Sequence, residues 1–107
     1  MEEAYKAGKL RAIGVSNFYP DRLIDLCQFT EVTPAVNQVE THVFQQQKTA
    51  HEYMKKYGVQ HESWGPFAEG RKDFFTNPKL TEIGARYGKS AAQIALRFLI
   101  QSDVVVI

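Results

Sequence analysis

The sequence lacks several features that mark specialised classes of protein. Cys27 is the only cysteine among 107 residues, so the chain cannot close an internal disulfide. No segment approaches the roughly 20 apolar residues that cross a bilayer. The first residues show neither the basic start nor the apolar stretch of a secretory signal. These absences predict a cytoplasmic protein that has no membrane partner.

The sequence also lacks an excess of charge of one sign. Its 13 basic and 12 acidic residues leave a net charge of +1. Proteins that bind nucleic acid draw much of their affinity from clustered cations that contact phosphates. The charge balance therefore predicts no nucleic-acid partner. Hydrophobic residues make up 44% of the chain, which is enough for the packed core of one domain.

Patterns of metal ligands are missing as well. Of the three histidines, His42 follows a predicted strand, His51 lies on the polar face of a predicted helix, and His61 lies within a strand. No His-x-x-x-His spacing and no pair of cysteines indicates a zinc site. Because the histidines are scattered, we expect structural or surface roles for all three and no bound metal.

Strands and helices are predicted to alternate along the chain. Hydrophobic spacing, together with the positions of glycine and proline, defines these elements. The predicted strands are 11–15, 35–40, 59–63 and 104–107, and the predicted helices are 1–10, 22–29, 45–57, 79–87 and 91–101. Gly8, Gly58 and Gly88 are the predicted terminating residues of the first, third and fourth helices, and Ser90 and Gln93 have the spacing of a capping box that opens the last. Such alternation is typical of an α/β fold with four parallel strands. Its apolar edge strands favour either a small open sheet or part of a larger barrel.

Three of the predicted strands end in side chains that could contact a ligand. In parallel α/β folds, ligands bind at the carboxyl ends of the strands, because the loops converge there. The apolar runs and the side chains concerned are 12–15 with Ser16 and Asn17, 36–39 with Gln38, and 59–64 with Ser63 and Trp64. This repeated placement is the first indication of function.

Four segments, taken together, resemble a known family in residues, order and spacing. These segments are Gly8–Phe18, Pro34–Glu40, Glu62–Phe67 and Tyr87–Arg97. They resemble the aldo-keto reductases over essentially the whole chain. The tryptophan and glycine of the third segment are most similar to the bacterial branch that includes the 2,5-diketo-gluconate reductases.

The resemblance implies a specific fold and activity. Members of that family are (β/α)8 barrels that move a hydride between NADPH and an aldehyde or ketone. Residues 1–107 would be a partial domain, strands five to eight, which form the C-terminal half of the barrel. The family's catalytic aspartate, tyrosine, lysine and histidine lie in the first half and have no counterpart here. The isolated chain is therefore expected to be inactive and to bind NADPH weakly.

The resemblance also implies roles for eight cofactor-binding residues. Two side chains after the first strand and one in the second would hold the nicotinamide carboxamide. An aromatic residue would stack on the nicotinamide ring, and the loop after it would wrap the pyrophosphate. In chain order these residues are Ser16, Asn17, Gln38, Trp64, Gly65, Phe67, Glu69 and Gly70.

Simpler roles remain open for several of these side chains. Ser16 and Asn17 could cap the next helix or form an Asx turn. Gln38 could pair with a polar residue of a neighbouring strand. Arg71 and Lys72 could contact phosphate or carry solvated loop charges.

Two other functions compete with the reductase prediction. A non-catalytic half-barrel could self-associate to cover its edge strands, forming a homo-oligomer. Glu40 and Glu62, near the ends of predicted strands, could mimic the carboxylate pair of a glycosidase, although Glu40 and Asn37 are expected to make structural hydrogen bonds.

Overall fold

The computed structural model describes residues 1–71 and 73–107, so Lys72 lies outside the described residues. Its helices and strands alternate as predicted. They are α1 Glu2–Lys6, β1 Gly14–Ser16, α2 Pro20–Phe29, β2 Val36–Glu40, α3 Lys48–Tyr57, β3 Gln60–Trp64, α4 Pro78–Tyr87, α5 Ala91–Gln101 and β4 Val105–Val106. Two short 3-10 turns, Ala68–Gly70 and Phe74–Thr76, lie between β3 and α4. Within the described part of the chain, no helix has the length and apolar character needed to cross a membrane.

The four strands form one sheet in the order β1-β2-β3-β4. β1 and β2 are parallel, and Ser16 lies opposite Gln38 in their register. Parallel neighbours need a crossover connection, and α2 supplies it between these two strands. The register therefore places the end of β1 beside the middle of β2, which continues to Glu40.

Several predicted bounds are wrong by a few residues. α1 ends at Lys6 rather than at Leu10, and Gly8 follows it with a left-handed backbone (φ 78°) that cannot continue a helix. Gln47, also left-handed (φ 54°), delays the start of α3 to Lys48. β1 begins at Gly14 rather than at Arg11 and extends through Ser16, because its pairing with β2 decides where the strand lies. The hydrophobic run alone carries no such information.

The chain forms two compact units. The first unit comprises residues 1–39 and 47–62, and the second comprises residues 40–46 and 63–107. Aliphatic side chains from α2, α3 and the strands dominate the core of the first unit. This core consists of Leu23, Val39, Ala50, Met54 and Val59, with Cys27 packed against it.

The core of the second unit is built around one aromatic side chain. Phe74 is fully buried, and the ring of Phe67 meets it edge-on at a centroid distance of 5.8 Å. Edge-to-face pairs of this kind add to the free energy gained from burial alone. The buried members of this core are Ala68, Phe74, Leu80, Ala91 and Ala95.

The predicted helix ends are confirmed where the signal is local. The backbone N–H of Ser90 donates to Gln93 Oε1 at 2.9 Å, and the N–H of Gln93 donates to Ser90 Oγ at 3.2 Å, forming a capping box. Gly58 and Gly88 end α3 and α4 in the left-handed conformation. Glycine adopts this conformation without the steric clash that a Cβ would cause.

Candidate functional site

Three of the predicted site residues lie together where the carboxyl end of β1 meets the middle of β2. Ser16 is the last residue of β1, and Asn17 follows it directly. The Ser16 Oγ donates to the backbone oxygen of Gln38 at 3.0 Å. The backbone N–H of Asn17 donates to the same oxygen at 2.8 Å. The structure thus brings Ser16, Asn17 and Gln38 together at one edge of the first unit.

Alternation along β2 separates the structural amide from the candidate ligand-binding amide. Asn37 is fully buried on one face of the strand, whereas Gln38 is half-buried on the other. Asn37 Nδ2 donates to the backbone oxygen of Phe18 at 2.6 Å, and Asn37 Oδ1 accepts from the Phe18 N–H at 3.3 Å. The predicted structural role of Asn37 is confirmed, and it anchors the turn that carries Asn17.

Asn17 occupies a conformation that few residues adopt. Its φ is 58°, in the left-handed region, where asparagine is one of the few non-glycine residues found often. The bonds around it, from its own N–H to Gln38 and from Phe18 to Asn37, hold this turn in place. The turn therefore depends on β2 as well as on its own sequence.

The chemistry of this edge suits a planar primary amide. The hydroxyl hydrogen of Ser16 is directed to Gln38, so the Ser16 oxygen retains lone pairs that accept hydrogen bonds. A side-chain amide, such as those of Asn17 and Gln38, carries both donor and acceptor groups. Ser16 and Asn17 are exposed, so a ligand can reach them.

In the second unit, Trp64 ends β3. Its backbone oxygen accepts from the N–H of Thr41 at 3.1 Å, and its side chain is half-buried. The neighbouring Ser63, also noted in the sequence, is fully buried, and its Oγ donates to the Thr41 oxygen at 2.7 Å. Ser63 is therefore a structural residue, whereas Trp64 keeps part of its surface accessible.

The loop after Trp64 has an unusual backbone. Gly65, Ala68, Glu69 and Gly70 all have φ between 53° and 75°. For a residue with a Cβ, this left-handed region costs roughly 1–2 kcal/mol. Two hydrogen bonds close the loop, one from the Ala68 N–H to Gly65 at 3.0 Å and one from the Gly70 N–H to Phe67 at 2.9 Å. Such curled segments present backbone N–H groups that can bind anions.

A charged cluster joins this loop to the end of β2. Arg71 Nη2 donates to Glu40 Oε1 at 2.8 Å, and Arg71 Nε donates to the backbone oxygen of Ala68 at 3.0 Å. His42 Nε2 lies 3.4 Å from the same Glu40 oxygen. A small cavity of about 180 Å³ lies among these side chains. The predicted structural bonding of Glu40 is confirmed, and Arg71 is paired with a carboxylate rather than only solvated.

The expectation that the histidines are scattered is wrong for one pair. His51 Nδ1 and His61 Nδ1 are 2.8 Å apart, a hydrogen-bond distance, and His61 is 2% exposed. Burial, and secondarily the nearby His51, lower the pKa of His61 to about 4. No group of three potential metal ligands occurs among residues 1–71 and 73–107. The ten-residue separation of the pair carries no local signal, so sequence analysis missed it.

The eight predicted cofactor-binding residues therefore fall into two groups. Ser16, Asn17 and Gln38 lie in the first unit. The other group, at the end of β3 and in the loop after it, lies in the second unit and consists of Trp64, Gly65, Phe67, Glu69 and Gly70. Phe67 is half-buried against Phe74, whereas Glu69 and Gly70 are exposed.

Known proteins match the chain along its whole length. A family model described as the aldo/keto reductase family matches residues 1–107. Glyoxal reductase of Bacillus subtilis is 44% identical over 107 residues, which are 100% of this chain and 38% of that protein. Methylglyoxal reductase DkgA of Escherichia coli is 39% identical, with 100% of this chain and 39% of that protein covered.

Solved structures match equally well. The aldo-keto reductase MGS-M4, from a Medee basin deep-sea metagenome library, superposes with a TM-score of 0.95 at 41% identity, covering 99% of this chain and 40% of that chain. A Gox0644 mutant in complex with NADPH gives a TM-score of 0.91 at 33% identity, covering 99% and 38%. These matches confirm the predicted fold class, part of a (β/α)8 barrel. The chain spans about 38% of the length of the curated relatives that it matches.

Proposed function

The chain belongs to the aldo/keto reductase family, and on that premise we propose that it supplies the nicotinamide-holding residues of an NADPH-dependent reductase of small aldehydes or ketones. Relatives named glyoxal reductase and methylglyoxal reductase support a small carbonyl substrate. A structural relative in complex with NADPH supports the cofactor.

The pairing of Ser16 with Gln38 carries this proposal. Their register brings Ser16 and Gln38 together, and Asn17 is next to Ser16 in the chain. This grouping supports a ligand-binding role, because ligands of this fold bind near the carboxyl ends of the strands. Two hydrogen bonds to the backbone oxygen of Gln38, one from the Ser16 hydroxyl and one from the Asn17 N–H, hold the three residues next to each other. A pre-organised set of this kind can hold the carboxamide and thereby decide which face of the nicotinamide ring transfers the hydride.

For the second unit, we propose that Trp64 offers a flat apolar face to the nicotinamide ring. The loop from Gly65 to Gly70 would take the pyrophosphate through backbone N–H groups other than those of Ala68 and Gly70, which donate within the loop, with Phe67 and Glu69 shaping it. Glycine at both ends of the loop allows a phosphate to approach the backbone closely.

Hydride transfer also needs a proton donor for the developing alkoxide. The family resemblance gives no counterpart of the catalytic aspartate, tyrosine, lysine or histidine in residues 1–107. We therefore assign this chain a holding role rather than a complete active site. Robust turnover of an aldehyde with NADPH by the purified 107-residue chain would contradict that assignment.

Titration of NADPH into the chain tests the holding role. Trp64 is the single tryptophan, so quenching of its fluorescence reports binding to the loop side. We expect Gln38→Ala to weaken NADPH binding about tenfold, because losing hydrogen bonds to a ligand amide costs about 1.4 kcal/mol. Binding of 2′-phospho-ADP-ribose, which lacks nicotinamide, should be unaffected.

Gln101→Ala is the matched control, since Gln101 is an exposed amide at the end of α5. Equal weakening by Gln101→Ala, or equal loss of 2′-phospho-ADP-ribose binding by Gln38→Ala, would contradict the proposed role of Gln38. Absence of NADPH binding at millimolar concentration would contradict cofactor holding by this chain.

A second candidate function is self-association of a non-catalytic half-barrel. It is favoured by the edge position of β1 and β4 in the sheet and by exposed apolar residues at the β4 edge, where Val105 is 48% and Ile107 is 65% exposed. Exposed strand edges pair readily with other chains. A monomeric mass by light scattering at micromolar concentration would exclude this candidate.

A further inference from the structure

The loop from Gly65 to Gly70 needs outside contacts to keep its shape. Ala68 and Glu69 are consecutive non-glycine residues in the left-handed region, with φ of 53° and 55°. Such conformations persist only where the surrounding structure holds them in place. The contacts that restrain these two residues therefore decide how the loop presents its backbone.

The inner side of the loop is held by apolar packing. Ala68 is 2% exposed and belongs to the core around Phe74. The ring of Phe67 lies 5.8 Å from that of Phe74 and 5.4 Å from that of Phe75. This packing fixes the depth of the loop, but it does not reach Glu69, which is exposed.

The outer side is held by one arginine. Both the backbone N–H and the side-chain Nε of Arg71 donate to the Ala68 oxygen, at 3.1 Å and 3.0 Å. Its Nη2 donates to Glu40 Oε1 at 2.8 Å, and the Glu69 carboxylate lies 3.8 Å away. One planar guanidinium thus joins the strained peptide to the end of β2.

The geometry of these contacts points to a positioning role: we propose that Arg71, by bonding Glu40 and the Ala68 carbonyl at once, sets the conformation in which the loop binds the cofactor's pyrophosphate. This inference rests on the proposed function of the loop. Arg71 acts through the loop backbone and is not itself a phosphate ligand.

The positioning role depends on the several N–H donors that the guanidinium holds in one plane. Arginine presents several donors in one rigid plane, whereas lysine presents a single flexible ammonium. Lysine at position 71 would keep the charge, but its single nitrogen would not reproduce the separate Nε and Nη2 donors that bond the Ala68 carbonyl and the Glu40 carboxylate. Because the Arg71 side chain is 60% exposed, the ion pair itself contributes little to global stability. Loss of the pair should therefore alter the loop without unfolding the chain.

Two substitutions separate positioning from direct phosphate binding. If Arg71 contacted phosphate directly, Arg71→Lys would largely preserve NADPH binding, and Glu40→Gln would strengthen it by releasing the arginine. A positioning role predicts weaker binding in both cases, by about tenfold for Arg71→Lys and about threefold for Glu40→Gln. Preserved binding in Arg71→Lys together with stronger binding in Glu40→Gln would overturn the proposal.

Hydrogen exchange of the Gly70 amide provides a readout that needs no cofactor. This N–H donates to Phe67 across the loop, so we expect its exchange to accelerate at least tenfold in Arg71→Lys while the unfolding midpoint stays unchanged. Arg86→Lys is the matched control, because it replaces an exposed arginine paired with Glu82 at 3.1 Å on α4. It should change neither loop exchange nor NADPH binding.

The outcomes distinguish this inference from the proposed function. If the wild-type chain binds NADPH and Arg71→Lys changes neither binding nor Gly70 exchange, the positioning role is wrong while the proposed function stands. If Gly70 exchange accelerates in Arg71→Lys but the wild-type chain binds no NADPH, Arg71 does hold the loop in its conformation, and the proposal that this chain binds the cofactor is wrong. If Arg71→Lys lowers the free energy of unfolding by as much as it lowers the protection of the Gly70 amide, Arg71 contributes to the stability of the whole chain rather than to the loop alone.

Discussion

The two units position their candidate site residues by different means. In the first unit, the β1-β2 ladder places Ser16 opposite Gln38, and Asn17 bonds to the same strand. In the second unit, the residues after Trp64 lie in an irregular loop, and Arg71 holds this loop by a hydrogen bond to the Ala68 carbonyl. Ladder positions follow from strand pairing, which is regular, whereas a loop of this kind depends on individual side chains.

The hydrophobic cores of the two units also differ in how many side chains share the packing. Several aliphatic side chains of similar size share the packing in the first unit, among them Leu23 and Met54. In the second unit, the ring of Phe74 contacts the rings of Phe44, Phe67 and Phe75. The second unit therefore concentrates its packing in one residue, and that residue also supports the loop.

Phe74→Ala should have the largest effect and sharpen this difference. Removing a buried phenylalanine typically lowers the free energy of unfolding by about 3–5 kcal/mol, and here it also removes the support of Phe67. Urea unfolding and exchange of the Gly70 amide measure the two effects. Leu23→Ala should destabilise the chain without selectively loosening Gly70. Phe29→Ala, at an 80% exposed position, should be nearly neutral.

Acidification should lower the free energy of unfolding through His61, which lies in the first unit. The pKa of His61 is about 4 in the folded chain and about 6.5 when unfolded. The unfolded chain therefore binds more protons between these values, so stability is fully present above pH 6.5 and is lost as the pH falls toward 4. The loss is on the order of 2–3 kcal/mol. His61→Gln should flatten the dependence measured by urea unfolding, and an unchanged slope would contradict this assignment.

Buried polar side chains allow a matched comparison between the units. Asn37→Ala leaves both the N–H and the carbonyl of Phe18 without this partner, whereas Ser63→Ala removes a single bond to Thr41. We expect losses of about 2 and about 1 kcal/mol in the free energy of unfolding. Equal losses would show that the number of hydrogen bonds does not set the difference.

Two helix ends should respond alike, since their local geometry is the same. Gly58 and Gly88 both have left-handed φ, and a Cβ on either would meet no atom within 4 Å. Replacing each with alanine should therefore cost only the backbone strain, about 1 kcal/mol. Thermal unfolding measures both variants, and a markedly larger effect at either position would reveal a contact that the structure does not contain.

Much of the fold was predictable because its signals are local. The capping box of Ser90 and Gln93 spans three residues, and the glycines that end α3 and α4 act within one turn. Strand bounds were less predictable, since β1 is defined by its pairing with β2 rather than by its own hydrophobic run.

The contacts of the candidate site also fall into those that the sequence predicted and those that it did not. The grouping of Ser16, Asn17 and Gln38 followed from the convergence of parallel strand ends. The contact of Arg71 with Glu40, separated by 31 residues, and that of His51 with His61, separated by 10, did not. In each pair the two residues lie in different elements of the fold, so the periodicity of a single helix or strand does not predict their contact.

The sequence by itself determined the order of strands and helices, the family, and the residue types at the strand ends. These properties depend on short-range periodicity and on motifs that can be recognised one segment at a time. Only the tertiary structure decided that Asn37 faces the core while Gln38 faces away, that two histidines share a hydrogen bond, and that Arg71 braces the loop. Such contacts depend on how distant segments pack, because a side chain's partner is set by the fold rather than by its neighbours in the chain.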